Sequence, residues 1–188
     1  MRFYDYCRQL THFHTMSKCI FLDRDGVLNE DRTDYVYRIE DFIIPKGVVE
    51  GLQLLKSAGY LLIVVTNQAG IARGLYSRTD VMRCHQYLQE QCGNLIDDIY
   101  YCPHHPDFDS QSLLRKPDSL MLEKAIAKYN IDVTQSWMIG DAPRDILAGK
   151  RVGVHTVHIT HQIPEQPVGD QQAPNLLEAS KMVVNATF

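Results

Sequence analysis

Two kinds of hydrophobic pattern alternate along the chain. Short runs that are apolar at every position predict strands buried on both faces, whereas apolar residues every three or four positions predict amphipathic helices. The predicted strands cover residues 18–22, 60–65, 96–102, 135–139 and 154–159. The predicted helices begin at Pro45, after the capping pair Ser77 and Asp80, ahead of Leu122, at Pro143 and near residue 175.

This order of elements predicts an α/β fold. Strands that alternate with helices form a parallel sheet with helices on both faces, a Rossmann-like arrangement joined by right-handed crossovers. The 188 residues suffice for one domain with a sizeable core. We place that domain at residues 16–188, because Met16 lies just before the first strand, and treat residues 1–15 as an N-terminal extension that need not be ordered.

The composition excludes several classes of partner. With a net charge of −4 and no run of lysine or arginine, the chain lacks the positive surface that nucleic acid requires. The longest apolar run, residues 61–65, is far too short to span a bilayer, so no membrane partner is expected. The five cysteines are odd in number and show no paired spacing, which indicates reduced thiols in the cytoplasm. A small phosphorylated substrate remains compatible with this composition.

Two aspartates directly follow the first predicted strand. Residues two apart in a strand lie on the same side, so the carboxylates of Asp23 and Asp25 can face one point. Two anions this close need a cation, most simply a divalent metal with oxygen ligands. The alternative interpretation is a turn that carries two solvated aspartates.

Five further polar residues stand at other strand ends or before a helix: Thr66, Asn67, Lys116, Asp141 and Asp145. Asp141 can complete the ligands of Mg²⁺, and Asp145, one helical turn on, can orient Asp141 or a metal-bound water. The hydroxyl of Thr66 can hold phosphoryl oxygens, and Lys116 supplies a compact positive charge.

This set of groups suits the transfer of a phosphoryl group. Asp23 can attack phosphorus in line and form an aspartyl-phosphate. Asp25 can protonate the leaving oxygen and later deprotonate the hydrolytic water.

Four motifs occur in order along the chain: Phe-Leu-Asp23-Arg-Asp25-Gly-Val-Leu, Val-Val-Thr66-Asn67-Gln, Arg-Lys116-Pro and Gly-Asp141-Ala-Pro-Arg-Asp145. They resemble the motifs of the haloacid dehalogenase superfamily of phosphatases. Over about residues 18–160 the chain is similar to the group that contains D-glycero-D-manno-heptose 1,7-bisphosphate phosphatases and histidinol-phosphate phosphatases. The resemblance implies a haloacid dehalogenase fold without a full cap domain.

The resemblance also implies a role for each matching residue. Asp23 would be the nucleophile and Asp25 the general acid and base. Mg²⁺ would be held by the carboxylates of Asp23 and Asp141 and by the main-chain carbonyl of Asp25. The residues implied to contact substrate or phosphate are Thr66, Asn67, Arg73, Arg115 and Lys116.

The implied reaction is the Mg²⁺-dependent hydrolysis of a phosphate monoester on D-glycero-D-manno-heptose 1,7-bisphosphate. Such a reaction belongs to the carbohydrate metabolism that supplies heptose for lipopolysaccharide core. A histidinol-phosphate phosphatase is the alternative enzyme, and a catalytically inactive binding relative is the alternative from another class. The sequence is compatible with a monomer.

The chain departs from its group at a structural zinc site. Relatives commonly bind zinc through Cys-x-His after the third strand and Cys-x-Cys before Arg-Lys-Pro. Here Cys102 and His104 match the first half, but Ser112 and Leu114 stand in place of the second pair of cysteines. Two ligands cannot close a tetrahedral site, so we do not expect zinc. The residues that could substitute are His105, Asp107 and Asp109.

Two further features are predicted to be structural. Arg24, between the two aspartates, should point to the opposite side of the strand and be ion-paired or packed. His155, His158 and His161 are spaced by three, do not share one face of a strand, and are expected at the surface.

Overall fold

The computed structural model describes residues 16–160 and 168–186, so the predicted extension at residues 1–15 lies outside the described residues. The strands are β1 (Cys19–Leu22), β2 (Leu61–Asn67), β3 (Asp98–Cys102), β4 (Trp137–Gly140), β5 (His155–Ile159) and β6 (Gln171–Ala173). The helices are α1 (Val48–Ser57), α2 (Arg78–Gln91), α3 (Leu120–Tyr129), α4 (Pro143–Val152) and α5 (Leu176–Asn185). In these two described ranges, no helix combines the length and the apolar character needed to cross a bilayer.

All six strands lie in one sheet in the order β3-β2-β1-β4-β5-β6, and every neighbouring pair is parallel. This confirms the predicted Rossmann-like α/β fold. β1 lies between β2 and β4, since Phe21 pairs with both Ile63 and Met138. The carboxyl ends of these three strands therefore meet at one edge of the sheet.

The two faces of the sheet are covered by separate sets of helices. Ile20 and Leu22 of β1 belong to a core packed with α1, α2 and α5, and Cys19 and Phe21 belong to a core packed with α3 and α4. All four side chains are fully buried. Burial on both faces explains why the strand is apolar at every position.

The structure corrects several predicted boundaries. α1 begins at Val48 rather than Pro45, because Gly47 has a left-handed φ of +93° that a helix cannot contain. The short helix predicted around residues 143–148 extends to Val152 as α4 and is capped by Gly153, which has a φ of +81°. The strand β6 was not predicted, because its three residues include two glutamines and carry no hydrophobic pattern.

The start of α2 is as predicted. The hydroxyl of Ser77 accepts a hydrogen bond from the Asp80 amide at 3.2 Å, and the Asp80 carboxylate accepts one from the Ser77 amide at 2.9 Å. This reciprocal capping box fixes the chain where the loop that carries Arg73 turns into the helix.

Candidate active site

The predicted site residues assemble at the carboxyl edge of the sheet. Asp23 directly follows β1, Thr66 lies near the end of β2, and Asp141 directly follows β4. Because these strands are neighbours, residues far apart in sequence lie close together here. A cleft of about 560 Å³ opens beside Asp141, and its walls are formed by Gly26, Asn29, Glu30, Asp31, Pro45, Asp141 and Ile159.

The ammonium group of Lys116 lies at the centre of the site and is fully buried. Its Nζ forms ion pairs with Asp23 Oδ1 at 2.9 Å and with Asp145 Oδ1 at 2.7 Å, and it donates a hydrogen bond to the Val65 carbonyl at 2.6 Å. Burial alone would lower the pKa of Lys116, but the attraction of Asp145 and Asp23 raises it. The lysine is therefore held as a cation with three fixed partners.

The backbone of Lys116 is positioned by Asn67. The Asn67 amide donates to the Lys116 carbonyl at 3.0 Å, and its oxygen accepts from the Lys116 N–H at 3.0 Å. We predicted a contact between Asn67 and substrate, but the structure turns both polar groups of the side chain to the backbone of Lys116.

The carboxylate of Asp23 is buried and lies against its cationic partner. Burial, together with the nearby Asp145 carboxylate, raises the pKa of Asp23 to about 7, although Lys116 opposes this shift. One oxygen also accepts a hydrogen bond from the Arg24 amide at 2.7 Å. A carboxylate with these partners is held in one orientation, as in-line attack requires.

The carboxylates of Asp23, Asp141 and Asp145 form a cluster that could hold a metal ion, with one oxygen from each lying within 4.8 Å of the others. Oδ1 of Asp141 is buried and has no hydrogen-bond partner. Burial and the Asp145 carboxylate raise the pKa of Asp141 to about 6. An unpaired buried oxygen in an acidic, all-oxygen cluster fits a hard divalent cation such as Mg²⁺.

Asp145 contributes to this cluster in a way that differs from the prediction. Besides its ion pair with Lys116, its Oδ2 accepts a hydrogen bond from the Ala142 amide at 3.0 Å. The side chain therefore joins the start of α4 to the buried lysine. We predicted that it orients Asp141 or a metal-bound water, and the contact with Lys116 was not foreseen.

The carboxylate of Asp25 is held by side-chain donors and is not part of the acidic cluster found among the described residues. Its Oδ1 accepts from Arg24 Nη2 at 2.7 Å and from Asn29 Nδ2 at 3.0 Å, and its Oδ2 accepts from Gln68 Nε2 at 3.1 Å. Arg24 is buried and ion-paired, as predicted, but its partner is Asp25, although the side chain was predicted to point to the opposite side of the strand from the aspartates. The predicted metal contact of Asp25 involves its main-chain carbonyl and stays a prediction.

Two of the predicted binding residues form a positive rim. The Arg73 guanidinium lies over the rings of Phe108, at 4.6 Å from the centroid, and Tyr35, at 5.8 Å. Arg115 donates to the His104 carbonyl at 3.4 Å. Its pKa is lowered by burial and by the nearby cations Arg144 and Arg73. Within the described ranges, neither Arg73 nor Arg115 forms an ion pair with a carboxylate, so both remain available to an anion.

The loop that carries half of a zinc motif is fixed by hydrogen bonds. His104 Nδ1 lies 2.6 Å from Asp109 Oδ2, and Asp109 Oδ1 accepts from the amides of His105 at 2.8 Å and Ser110 at 2.6 Å. These contacts lower the pKa of Asp109 to about 2. The thiol of Cys102 is buried. That the chain binds no zinc stays a prediction.

His158 is buried, so its predicted place at the surface was wrong. Its Nε2 lies 2.9 Å from the main-chain carbonyl of Asp141. β5 pairs with β4 so that His158 stands opposite Gly140, and this brings the ring next to a candidate metal ligand. No local sequence pattern predicts this contact, because it depends on the order of the strands. His161 lies outside the described residues.

The stability of the metal-free protein should fall as the pH rises. The pKa values of Asp23 and Asp141 are raised from an ordinary value of 3.8 to about 7 and about 6, so the folded state binds more protons than the unfolded state. Their contribution to stability is complete below about pH 4 and is lost as the pH passes through about 6 and then about 7. Mg²⁺ competes with these protons, so its apparent affinity should increase by up to about 100-fold per pH unit below pH 6, where both carboxyls are protonated, and by about tenfold between pH 6 and pH 7. Urea unfolding with and without Mg²⁺ measures both effects. An affinity that does not change with pH would contradict the assignment of these ligands.

Gly26 provides the space that the Asp141 carboxylate occupies. A Cβ at this position would lie 2.2 Å from Asp141 Oδ2, and the φ of Gly26 is +83°. Gly26→Ala should therefore displace the carboxylate and weaken Mg²⁺ binding by about tenfold or more. Gly153→Ala is a matched control, because Gly153 has a φ of +81° but no atom lies within 4 Å of its added Cβ. Both variants should lose about 1 kcal/mol of stability from backbone strain. Equal Mg²⁺ affinities, measured by titration of activity, would contradict this role of Gly26.

Known proteins resemble this chain over most of its length. The family model described as "HAD-hyrolase-like" matches residues 113–177. A D-glycero-beta-D-manno-heptose-1,7-bisphosphate 7-phosphatase of Haemophilus ducreyi is 44% identical over 74% of this chain and 80% of that protein. The protein of the same name from Pasteurella multocida is 41% identical over 87% of this chain and 93% of its own length. A crystal structure of D,D-heptose 1,7-bisphosphate phosphatase from B. bronchiseptica, complexed with magnesium and phosphate, is 26% identical with a TM-score of 0.81 and covers 89% of this chain and 98% of that chain.

Proposed function

The chain belongs to the haloacid dehalogenase-like hydrolases, within the family of heptose bisphosphate phosphatases, and we propose that it hydrolyses D-glycero-D-manno-heptose 1,7-bisphosphate. The family is one of phosphoric monoester hydrolases, so the reaction type follows from membership. The substrate and the role of each residue are the proposal.

One observation carries the proposal more than any other. Lys116 forms ion pairs with Asp23 and Asp145, and both carboxylates belong to a cluster that also contains Asp141. This arrangement supports a carboxylate nucleophile, a fixed cation and oxygen ligands at one point. Phosphoryl transfer needs these three features together, because negative charge must be brought to negative charge and stabilised there.

The proposed reaction proceeds in two steps on Asp23. In the first, an oxygen of Asp23 bonds to phosphorus as the bond between phosphorus and the sugar oxygen breaks. The departing sugar oxygen takes a proton from the Asp25 carboxyl. In the second, Asp25 removes a proton from a water, whose oxygen bonds to phosphorus as the bond between phosphorus and the Asp23 oxygen breaks. This step releases inorganic phosphate and restores the Asp23 carboxylate. The sum is a phosphate monoester plus water giving an alcohol plus phosphate.

The other predicted residues support this chemistry. Lys116 lies beside Asp23 and would balance the charge of the nucleophile and of the phosphoryl oxygens. Thr66 would donate its hydroxyl proton to a phosphoryl oxygen, and Asn67 would keep Lys116 in position. Arg73 and Arg115, at the positive rim, would bind the phosphate that does not react.

Mg²⁺ fits the site, with the carboxylates of Asp23 and Asp141 and the main-chain carbonyl of Asp25 as its proposed protein ligands. When bound, the ion would neutralise charge on the phosphoryl oxygens and on Asp23. Asp141 can serve in this way because Gly26 leaves room for its carboxylate.

We also propose that residues 16–188 act as one phosphatase domain in the cytoplasm. The product of its reaction would supply the heptose of lipopolysaccharide core. Residues 1–15 would be an extension upstream of the natural start at Met16. The intact mass of the native protein tests this start site, since a mass that includes residues 1–15 would contradict it.

The substrate is tested by initial rates of phosphate release. Both anomers of D-glycero-D-manno-heptose 1,7-bisphosphate are compared with histidinol phosphate, each with Mg²⁺ and with a chelator. We expect kcat/KM for the better heptose anomer to exceed that for histidinol phosphate by about 100-fold or more, because Arg73 and Arg115 would otherwise face no phosphate. A preference for histidinol phosphate would overturn the proposed substrate. Full activity in the chelator would overturn the role of Mg²⁺.

A further inference from the structure

The side chain of Gln68 is buried between two catalytic groups and has no part in the mechanism described above. Its Nε2 donates one hydrogen bond to Asp25 Oδ2 at 3.1 Å and another to Thr66 Oγ1 at 3.0 Å. Its Oε1 accepts a hydrogen bond from the Tyr76 hydroxyl at 2.9 Å. Gln68 thus joins the proton donor to the phosphate-binding hydroxyl.

The direction of the Gln68 amide decides what both neighbours can do. Since Nε2 donates to Thr66 Oγ1, the hydroxyl of Thr66 is an acceptor there and keeps its own proton for a phosphoryl oxygen. If the amide were reversed, the Thr66 hydroxyl would donate its hydrogen bond to Gln68 and could not donate it to a phosphoryl oxygen. A reversed amide would also place its oxygen against the Asp25 carboxylate, and two acceptors repel each other.

The Tyr76 hydroxyl holds the amide in the productive direction. Burial raises the pKa of Tyr76 to about 12, so the hydroxyl keeps its proton and donates it to Gln68 Oε1. The same hydroxyl accepts a hydrogen bond from the Gly70 amide at 3.3 Å. This second contact directs the hydroxyl proton away from Gly70 and toward Gln68.

Contacts with the surrounding loops fix the position of the Tyr76 ring. A Cβ at residue 70 would lie 1.9 Å from the ring, so only glycine fits there. The ring of Tyr37 stacks on the Tyr76 ring, with centroids 5.1 Å apart, and the ring of Tyr35 meets it edge-on at 5.9 Å. Contacts that fix the Tyr76 ring this closely indicate that its hydroxyl has a positioning role, beyond the ring's contribution to core packing.

We infer that Gln68 and Tyr76 are positioning residues that set the orientation of both Asp25 and Thr66 for phosphoryl transfer. This inference rests on the proposed function, because it assumes that Asp25 protonates the leaving oxygen. Neither residue touches the reacting atoms, and each acts through a hydrogen bond to a group that does.

The test compares two leaving groups in the variant Tyr76→Phe. An alkyl phosphate needs a proton on its leaving oxygen, whereas p-nitrophenolate leaves without one. The alkyl phosphate used is whichever of heptose 1,7-bisphosphate and histidinol phosphate the wild-type enzyme hydrolyses faster. kcat/KM reports the step in which the alcohol leaves. In Tyr76→Phe we expect kcat/KM for p-nitrophenyl phosphate to fall by a few-fold, because the Thr66 hydroxyl is no longer oriented toward a phosphoryl oxygen. We expect kcat/KM for the alkyl phosphate to fall by about tenfold more, because proton transfer from Asp25 is also impaired.

Two more variants make the result specific. Gln68→Met removes both donors at similar volume and should lower the alkyl-to-aryl ratio of kcat/KM by about 100-fold. Tyr37→Phe is the matched control, since its ring lies in the same stack but its hydroxyl bonds to no described residue, and its ratio should equal that of the wild type. An unchanged ratio in Tyr76→Phe would overturn the inference, even if both rates fell. A wild type that hydrolyses neither class of phosphate would overturn the proposed function and the inference with it.

Discussion

Asp23→Asn is expected to lower kcat for phosphate release by about 10⁴-fold or more, because an amide oxygen cannot attack phosphorus and form the aspartyl-phosphate. This substitution should not destabilise the protein. Burial and the Asp145 carboxylate already disfavour a charge on Asp23, and Lys116 keeps its ion pair with Asp145 when that charge is removed.

The measurement pairs steady-state kinetics with urea unfolding at about pH 8, where the Asp23 carboxylate of the wild type is charged. The unfolding midpoint of Asp23→Asn should equal or exceed that of the wild type. Asp34→Asn is the control, since Asp34 is exposed and pairs with the exposed Arg32, and it should keep full activity. Asp23→Asn with a tenth or more of the wild-type rate would remove the covalent mechanism.

Lys116→Met is expected to cost about 3–5 kcal/mol of stability near neutral pH, because it leaves the buried carboxylates of Asp23 and Asp145 without their cation. The Val65 carbonyl would also lose its donor. Activity should fall by about 10³-fold or more, since the charge on the phosphoryl oxygens would no longer be balanced.

The loss of stability in Lys116→Met should depend on pH. The pKa of Asp23 is raised to about 7 even beside the lysine, so without that cation the folded state will bind this proton still more tightly. The variant should therefore be closest to the wild type near pH 4 and should lose stability as the pH rises past about 7. Lys128→Met is the matched control, because Lys128 pairs with Asp98 at 2.9 Å but is exposed, and its stability should change little at any pH. A deficit in Lys116→Met that is independent of pH would contradict this account.

The sequence was sufficient to predict the sheet and most of the site because both follow from local patterns. Strands buried on both faces are apolar throughout, and in a parallel sheet the residues that follow them share one edge. Asp23, Thr66 and Asp141 could therefore be grouped before the strand order was known.

Contacts that depend on strand order or on the direction of a helix could not be predicted. His158 was expected at the surface, but β5 pairs with β4 and brings it to the Asp141 carbonyl. Asp145 was expected to act on Asp141, yet α4 begins so that its carboxylate reaches Lys116, 29 positions earlier in the chain. Neither contact can be predicted from a local sequence pattern.

Gln68 illustrates the same limit within a motif that was identified. The run Thr66-Asn67-Gln68 was recognised, but the role of the third residue rests on a hydrogen bond from Tyr76. That bond requires the loop between them to fold back over Gly70, where an added Cβ would meet the tyrosine ring. Spacing alone does not encode such a turn.

Asp25→Asn with p-nitrophenyl phosphate separates most directly the two proposed roles, attack on phosphorus by Asp23 and proton transfer by Asp25. The leaving group needs no proton, so the first step should still occur, whereas the second step lacks its base. We expect a burst of about one p-nitrophenolate per protein molecule, followed by a stalled enzyme that carries one phosphoryl group on Asp23 in peptide mass spectra. Release of p-nitrophenolate and phosphate in step, with no covalent phosphate or with phosphate on another residue, would contradict these roles.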